Sequence, residues 1–217
     1  MQIEIEVPSN LSEITLQQYT RYLNLIEVNQ DVEHIDKFMS LKMLEIFCNV
    51  PYKSALELKI TDVNRVVDHI VELLNQKPEL VQTFTIGDTE FGFIPKLDDM
   101  TFGEYIDLDQ FLGNWENMYK AMAVLYRPIN KRVGKFYNIK EYSGDSYWEA
   151  MQLTPLDAVL SSTLFFYHLG IDLSKLMTNS LLENQAEVTL PKDLEKNGVG
   201  INQFTHSLKE MLDDMKI

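Results

Sequence analysis

A mainly α fold of the α+β kind, a compact helical body carrying one small β-hairpin, is what this sequence predicts. Three observations predict it. Apolar residues recur at steps of three and four over most of the chain, the spacing of one helix face. The period changes to two only near residues 83 to 93 and, briefly, at 3 to 7. Glycine and proline, 9 and 7 in 217 residues, are too sparse to cut the chain into many short strands.

The elements follow in order. Residues 3 to 7, IEIEV, alternate apolar and charged, a candidate N-terminal strand stopped by Pro8-Ser9-Asn10. Thr15 and Gln18 stand as a capping box, with Ile14 and Tyr19 as its hydrophobic staple, and open a helix over about 16 to 28. A second helix covers about 32 to 48; its LKMLEIFC half is apolar on most faces and belongs at the centre. Val63, Val66, Val67, Ile70, Val71 and Leu74 line one face of a third, capped by Thr61 or Asp62 and closed by Lys77-Pro78. Phe84 and Ile86, then Phe91 and Phe93, alternate about Gly87-Asp88, which reads as a β-hairpin near 81 to 95.

Thr101 and Glu104 form a second capping box, with Met100 and Tyr105 as staple. Beyond it Tyr105, Leu108, Leu112, Trp115, Tyr119, Met122 and Tyr126 make one apolar seam, which Gly113-Asn114 can split into two helices. Residues 127 to 142 form a connector with room for short strands. Thr154-Pro155 starts a buried helix to about 169 in which His168 is a core residue. Residues 171 to 200 read as irregular, with EVTL a candidate strand, and close a single domain over 1 to 200. Ile201, Phe204, Leu208, Met211 and Met215 then give residues 201 to 217 the pattern of an amphipathic helix or arm, free to close its own core or to reach into a neighbour.

Composition narrows the function. Net charge is −14, from 33 acidic against 19 basic residues, which argues against broad binding to duplex phosphate or anionic lipid. The single Cys48, in the apolar run LEIFCNVP, makes no internal disulfide and no zinc site, and reads as a buried, inert thiol. No secretory pattern opens the sequence and no run is apolar enough for a membrane span, so a soluble chain is expected. Phosphate-loop, dinucleotide, zinc-protease, nucleophile-elbow and EF-hand patterns are all missing, and the four histidines have no ligand spacing.

Two charged stretches stand out. Asp98, Asp99, Glu104, Asp107 and Asp109 crowd one segment. Helix capping and hydration account for them, since Asp98 and Asp99 precede a helix start and Glu104 belongs to the box. The alternative is a divalent-cation site, which would need those carboxylates to converge. The connector carries Arg127, Lys131, Arg132, Lys135 and Lys140 with no acid among them. On so acidic a body it suits docking against an acidic partner; it equally suits a solvated loop paired with the chain's own acids.

The segment FGFIPKLDDMTFGEYIDLDQFLGNWENMYKAMAVLYRPI, with YNIKEYSG after it, resembles virion-block structural proteins of crAss-like tailed bacteriophages. LQQYTRYLNLIE and EIFCNVP fit more loosely. The resemblance implies a non-enzymatic particle component with no cofactor and no catalytic or metal residues. It implies a virion location after assembly in the host bacterial cytoplasm. The ring at the head–tail neck, between portal and tail, is the favoured role, and portal-associated rings generally have twelve copies. A tail-assembly chaperone and a capsid cargo protein stay open as alternatives. The expected partners are further copies of the chain and portal, tail or neck proteins. No membrane and no sequence-specific nucleic acid are expected, and only incidental contact with packaged DNA. Arg127, Lys131, Arg132 and Lys135, with Phe204, Leu208 and Met211 of the terminal helix, are the candidate partner-interface residues.

Overall fold

The computed structural model describes residues 5–29, 35–183, 206 and 209–210. Helices α1 (Leu16–Val28), α2 (Ile35–Phe47), the short α3 (Tyr52–Ala55) and α4 (Ile60–Leu74) come first, followed by strands β1 (Thr83–Ile86) and β2 (Thr89–Phe93). Helices α5 (Phe102–Phe111) and α6 (Met118–Leu125) lead into β3 (Tyr126–Val133) and β4 (Phe136–Ile139). The short α7 (Trp148–Met151) precedes the long α8 (Leu156–Glu183).

Both capping boxes form. Gln18 Oε1 accepts the Thr15 N–H at 2.9 Å while Thr15 accepts from Gln18, and Thr101 and Glu104 repeat the exchange at α5. Each box satisfies backbone donors that a helix start leaves unpaired. Gln18 Nε2 also donates to the Ile46 carbonyl at 2.8 Å, so the cap of α1 is tied to the end of α2. Helix α4 differs from expectation. It begins at Ile60 behind Lys59, which offers no side-chain acceptor, so neither Thr61 nor Asp62 caps it. Gly113-Asn114 does separate α5 from α6, and Asn114 Oδ1 accepts the Glu116 N–H at 2.8 Å.

Helix α6 is the centre of the core, with Met118 and Ala121 through Leu125 all buried. Lys120, its one cation, rests its ammonium 4.8 Å from the Trp148 ring centre and 5.1 Å from that of Phe111, so even this charge is held against aromatic faces. The first turns of α8 pack beside it. Their buried Ser162 and Thr163 hydroxyls donate back to the Val159 carbonyl at 3.0 and 2.8 Å, which lets polar groups sit in a dry helix. The starts of α1 and α8 are bridged, Leu16 N–H to Thr154 carbonyl at 2.9 Å and Leu156 N–H to Ile14 carbonyl at 2.8 Å.

The four strands form one antiparallel sheet in the order β1-β2-β3-β4. One hairpin was the expectation, with room for short strands in the connector; the connector supplies two strands, and they join the hairpin in one sheet. Strand β3 grows straight out of α6 because Tyr126 is already extended, at φ −120° and ψ 124°, and Pro128 disfavours a helical Arg127. Both hairpin turns take glycine first, Gly87 at φ 58° and Gly134 at φ 62°, the position that a type II′ turn reserves for it. Phe84, Phe91, Phe93 and Tyr126 pack together on one side of the sheet, and Phe93 meets Phe165 and Phe166 of α8.

Further differences follow. Helix α8 runs 28 residues to Glu183, so residues 171 to 183, read as irregular, are helical. Thr154 does not cap it; the hydroxyl donates to the Met151 carbonyl at 2.7 Å instead. His168 is exposed rather than part of the core. Residues 5 to 7 carry no strand pairing, and residues 3 and 4 lie outside the described residues. Residues 32 to 34, EVTL and Phe204, Leu208 and Met211 lie outside them too; His206, Lys209 and Glu210 are helical. Among the described residues, no helix is long and apolar enough to cross a membrane.

Candidate functional site

The acids before and along α5 do not converge. Asp98, Asp99 and Asp109 are exposed, and Asp107 accepts the Tyr142 hydroxyl at 2.8 Å. Burial, and then that carboxylate, hold the Tyr142 phenol well above its usual range. Among the described residues no group of three histidine, cysteine, aspartate or glutamate side chains is placed to hold a metal.

Glu104 departs from the hydrated role expected of it. It is 3 % exposed, and its two oxygens serve different elements: Oε2 accepts the Thr101 N–H at 2.6 Å, while Oε1 takes Arg127 Nη1 at 2.5 Å. The cap of α5 and the base of β3 are thus joined through one carboxylate. Arg127 is itself buried and paired within the chain, and its Nε has no partner. Arg127, expected at a partner contact, is instead placed in an ion pair within the chain. The residue is basic, but its place at the start of β3 turns it inward, against the one carboxylate buried there.

Arg132 is also engaged within the chain. It pairs with Glu90 of β2 and sets its guanidinium 5.5 Å from the Tyr137 ring centre. Lys131 and Lys135 are exposed and form no ion pair among the described residues. The connector is therefore half a self-paired surface and half a free cationic tip.

That tip projects. Strand β2 pairs with β3 only at Tyr126 to Pro128, so beyond Ile129 the ribbon has β4 as its single neighbour. The ladder is irregular between Ile129 and Lys131, where Asn130 is the extra residue, and such a bulge re-aims the strand. Every residue from 130 to 136 is exposed. A strand in a folded body normally covers one of its two faces; this ribbon covers neither. At its end Val133 and Phe136 face each other across the turn, 65 % and 84 % exposed.

A second uncovered surface lies on α5. Glu104, Leu108 and Phe111 turn inward, whereas Phe102, Tyr105 and Ile106 are 78 %, 54 % and 47 % exposed. At about 100° per residue these three and Asp109 share one outward arc. The Phe102 and Tyr105 rings lie nearly parallel, their centres 6.5 Å apart. Tyr105, expected on the buried seam, therefore sits outside it. Sequence reasoning missed Phe102, Ile106, Val133 and Phe136 as surface groups. The available signal was VGKF, an apolar pair flanking a two-residue turn on a stretch with no other apolar anchor.

Concave surfaces offer less chemistry. One is a cleft of about 660 Å³ between residues 74 to 80 and α8, lined by Leu74, Leu80, Leu160, Phe165 and the exposed His168. Cys48 is buried and its thiol is pushed up to about 11 by that burial, the condition of an unreactive sulfur. No family model matches the chain, no curated protein matches its sequence, and no solved structure matches its fold.

Proposed function

We propose that this chain is a non-enzymatic assembly subunit of a tailed-bacteriophage particle, acting as a ring component at the head–tail neck between portal and tail. The observation that carries the assembly role is the β3–β4 ribbon, uncovered on both faces from residue 130 to 136 and ended by two apolar side chains. Monomeric proteins seldom hold apolar groups out on a projecting arm; arms of this kind are made to be covered by a partner. The neck and the virion enter from the sequence resemblance over residues 91 to 144. Phe204, Leu208 and Met211 join the proposal as a second arm on sequence pattern alone. An acidic body with a cationic tip suits repeated contacts between like subunits, because each copy brings both signs.

Mass spectrometry of gradient-purified particles tests the role. A ring component is present in a fixed ratio to the portal protein. Abundance in infected cells with absence from particles rejects the ring and leaves an assembly chaperone. Release together with the genome identifies cargo.

A further inference from the structure

We infer that the β3–β4 tip of one copy docks on the outward face of α5 of another copy, so that Val133 and Phe136 cover Phe102, Tyr105 and Ile106. The two surfaces match in kind. The tip is an apolar pair with Lys131 and Lys135 beside it and no acid from Arg127 to Lys140. The α5 face is an apolar trio with Asp98, Asp99 and Asp109 exposed around it and no cation from Leu97 to Tyr119. Association therefore removes apolar area from water on both sides and sets two ammonium groups among three carboxylates. Each patch alone is an uncovered surface. Their complementarity specifies the occupant.

The contact forms between copies, not within one. The Arg127–Glu104 pair anchors the base of β3 to α5, and the tip lies six residues further on, roughly 20 Å away at the rise of a strand. One chain's tip therefore does not fold back onto its own α5. Because tip and face are different surfaces, the interface is heterologous: each copy gives a tip and receives one, which builds a closed ring or an open filament. Five apolar side chains cover less than the roughly 1,600 Å² of a standard interface, so a single contact is weak and gains strength through closure. This inference rests on the assembly role above and names the surfaces that carry it.

Disulfide trapping of the full-length chain tests it. One batch carries Lys135→Cys, a second Asp109→Cys, and a control Asp68→Cys on the exposed side of α4. Mixing the first two under mild oxidation traps one-to-one pairs, and a chain carrying both substitutions gives a ladder. Adding Phe136→Ser to the first batch lowers the yield about tenfold or more while leaving the fold intact, since that ring is 84 % exposed. Equal trapping by Asp68→Cys, or a yield indifferent to Phe136→Ser, overturns the contact. A chain found in particles without this trapping refutes the contact and keeps the particle role. Trapping in a chain absent from particles does the reverse.

Discussion

Glu104 shows how a single side chain can be read correctly and still incompletely. Its place three residues after Thr101 predicts a capping box, and the box is there. What the spacing does not disclose is that the second carboxylate oxygen meets Arg127, 23 positions away, in a dry setting. Removing one partner strands the other's charge, so Glu104→Ala or Arg127→Ala each costs about 3–5 kcal/mol in urea unfolding. The double substitution to apolar residues of similar volume, Glu104→Leu with Arg127→Met, costs much less than the sum, because the charge and its desolvation leave together. Additive losses would show that the two residues act separately. Cys48 gives a residue-scale prediction of pH dependence. Its folded thiol titrates near 11 against an ordinary 9.0, so between those values the unfolded chain loses a proton that the folded chain keeps. Stability is therefore whole below pH 9 and falls as pH rises through 11. Tyr22, pushed to about 12 by burial, adds the same sign above pH 10. Melting temperatures recorded from pH 8 to 11 should decline, and Cys48→Ala should flatten the lower part of that decline.

Elements were legible where a local rule governs them. The period of three and four, the two capping boxes and the Gly113-Asn114 break placed α1, α5 and α6, because caps and apolar spacing are decided within a few residues. The β3–β4 hairpin was not legible as part of a sheet. Lys131, Arg132 and Val133 lack the alternation of a half-buried strand, since neither face of the ribbon is buried. Helix α8 was read to about residue 169, whereas the helix continues to Glu183. The expected site fared similarly: its four cations were visible within a cluster of five, but only folding sorts them into buried Arg127, paired Arg132 and exposed Lys131 and Lys135. Gly92 carries an element-scale prediction. A Cβ there would run into the Tyr137 ring, which lies across β2 from β4 and whose hydroxyl donates to the Phe93 carbonyl at 2.9 Å. Gly92→Ala should cost about 1–3 kcal/mol through overpacking. Pairing it with Tyr137→Ala should add little beyond the loss from Tyr137→Ala alone, because the clash is then gone. A Gly92→Ala protein as stable as the parent would place the ring elsewhere.

For the molecule as a whole, the core and the uncovered surfaces are built from one palette of aromatic and apolar residues and differ in what surrounds them. Phe91 and Phe93 are closed in by Phe84, Tyr126 and α8, whereas Phe102 and Phe136 end at solvent with charges of opposite sign nearby. A self-contact made this way has two separable parts, and ionic strength distinguishes them. The ammonium–carboxylate attraction acts over a Debye length of about 10 Å at 0.1 M salt and about 3 Å at 1 M. Burial of Phe136 against Phe102 does not depend on that screening. Self-association of the full chain, followed by sedimentation velocity, should therefore weaken as salt rises from 0.1 to 1 M but not vanish. Lys131→Glu with Lys135→Glu should abolish it at low salt, where like charges then face each other, and recover part of it at high salt. Phe136→Ser should remove it at both. Association that strengthens with salt in the doubly reversed chain but not in the parent assigns the attraction to these two lysines, and a parent insensitive to salt would take the carboxylates around α5 out of the contact.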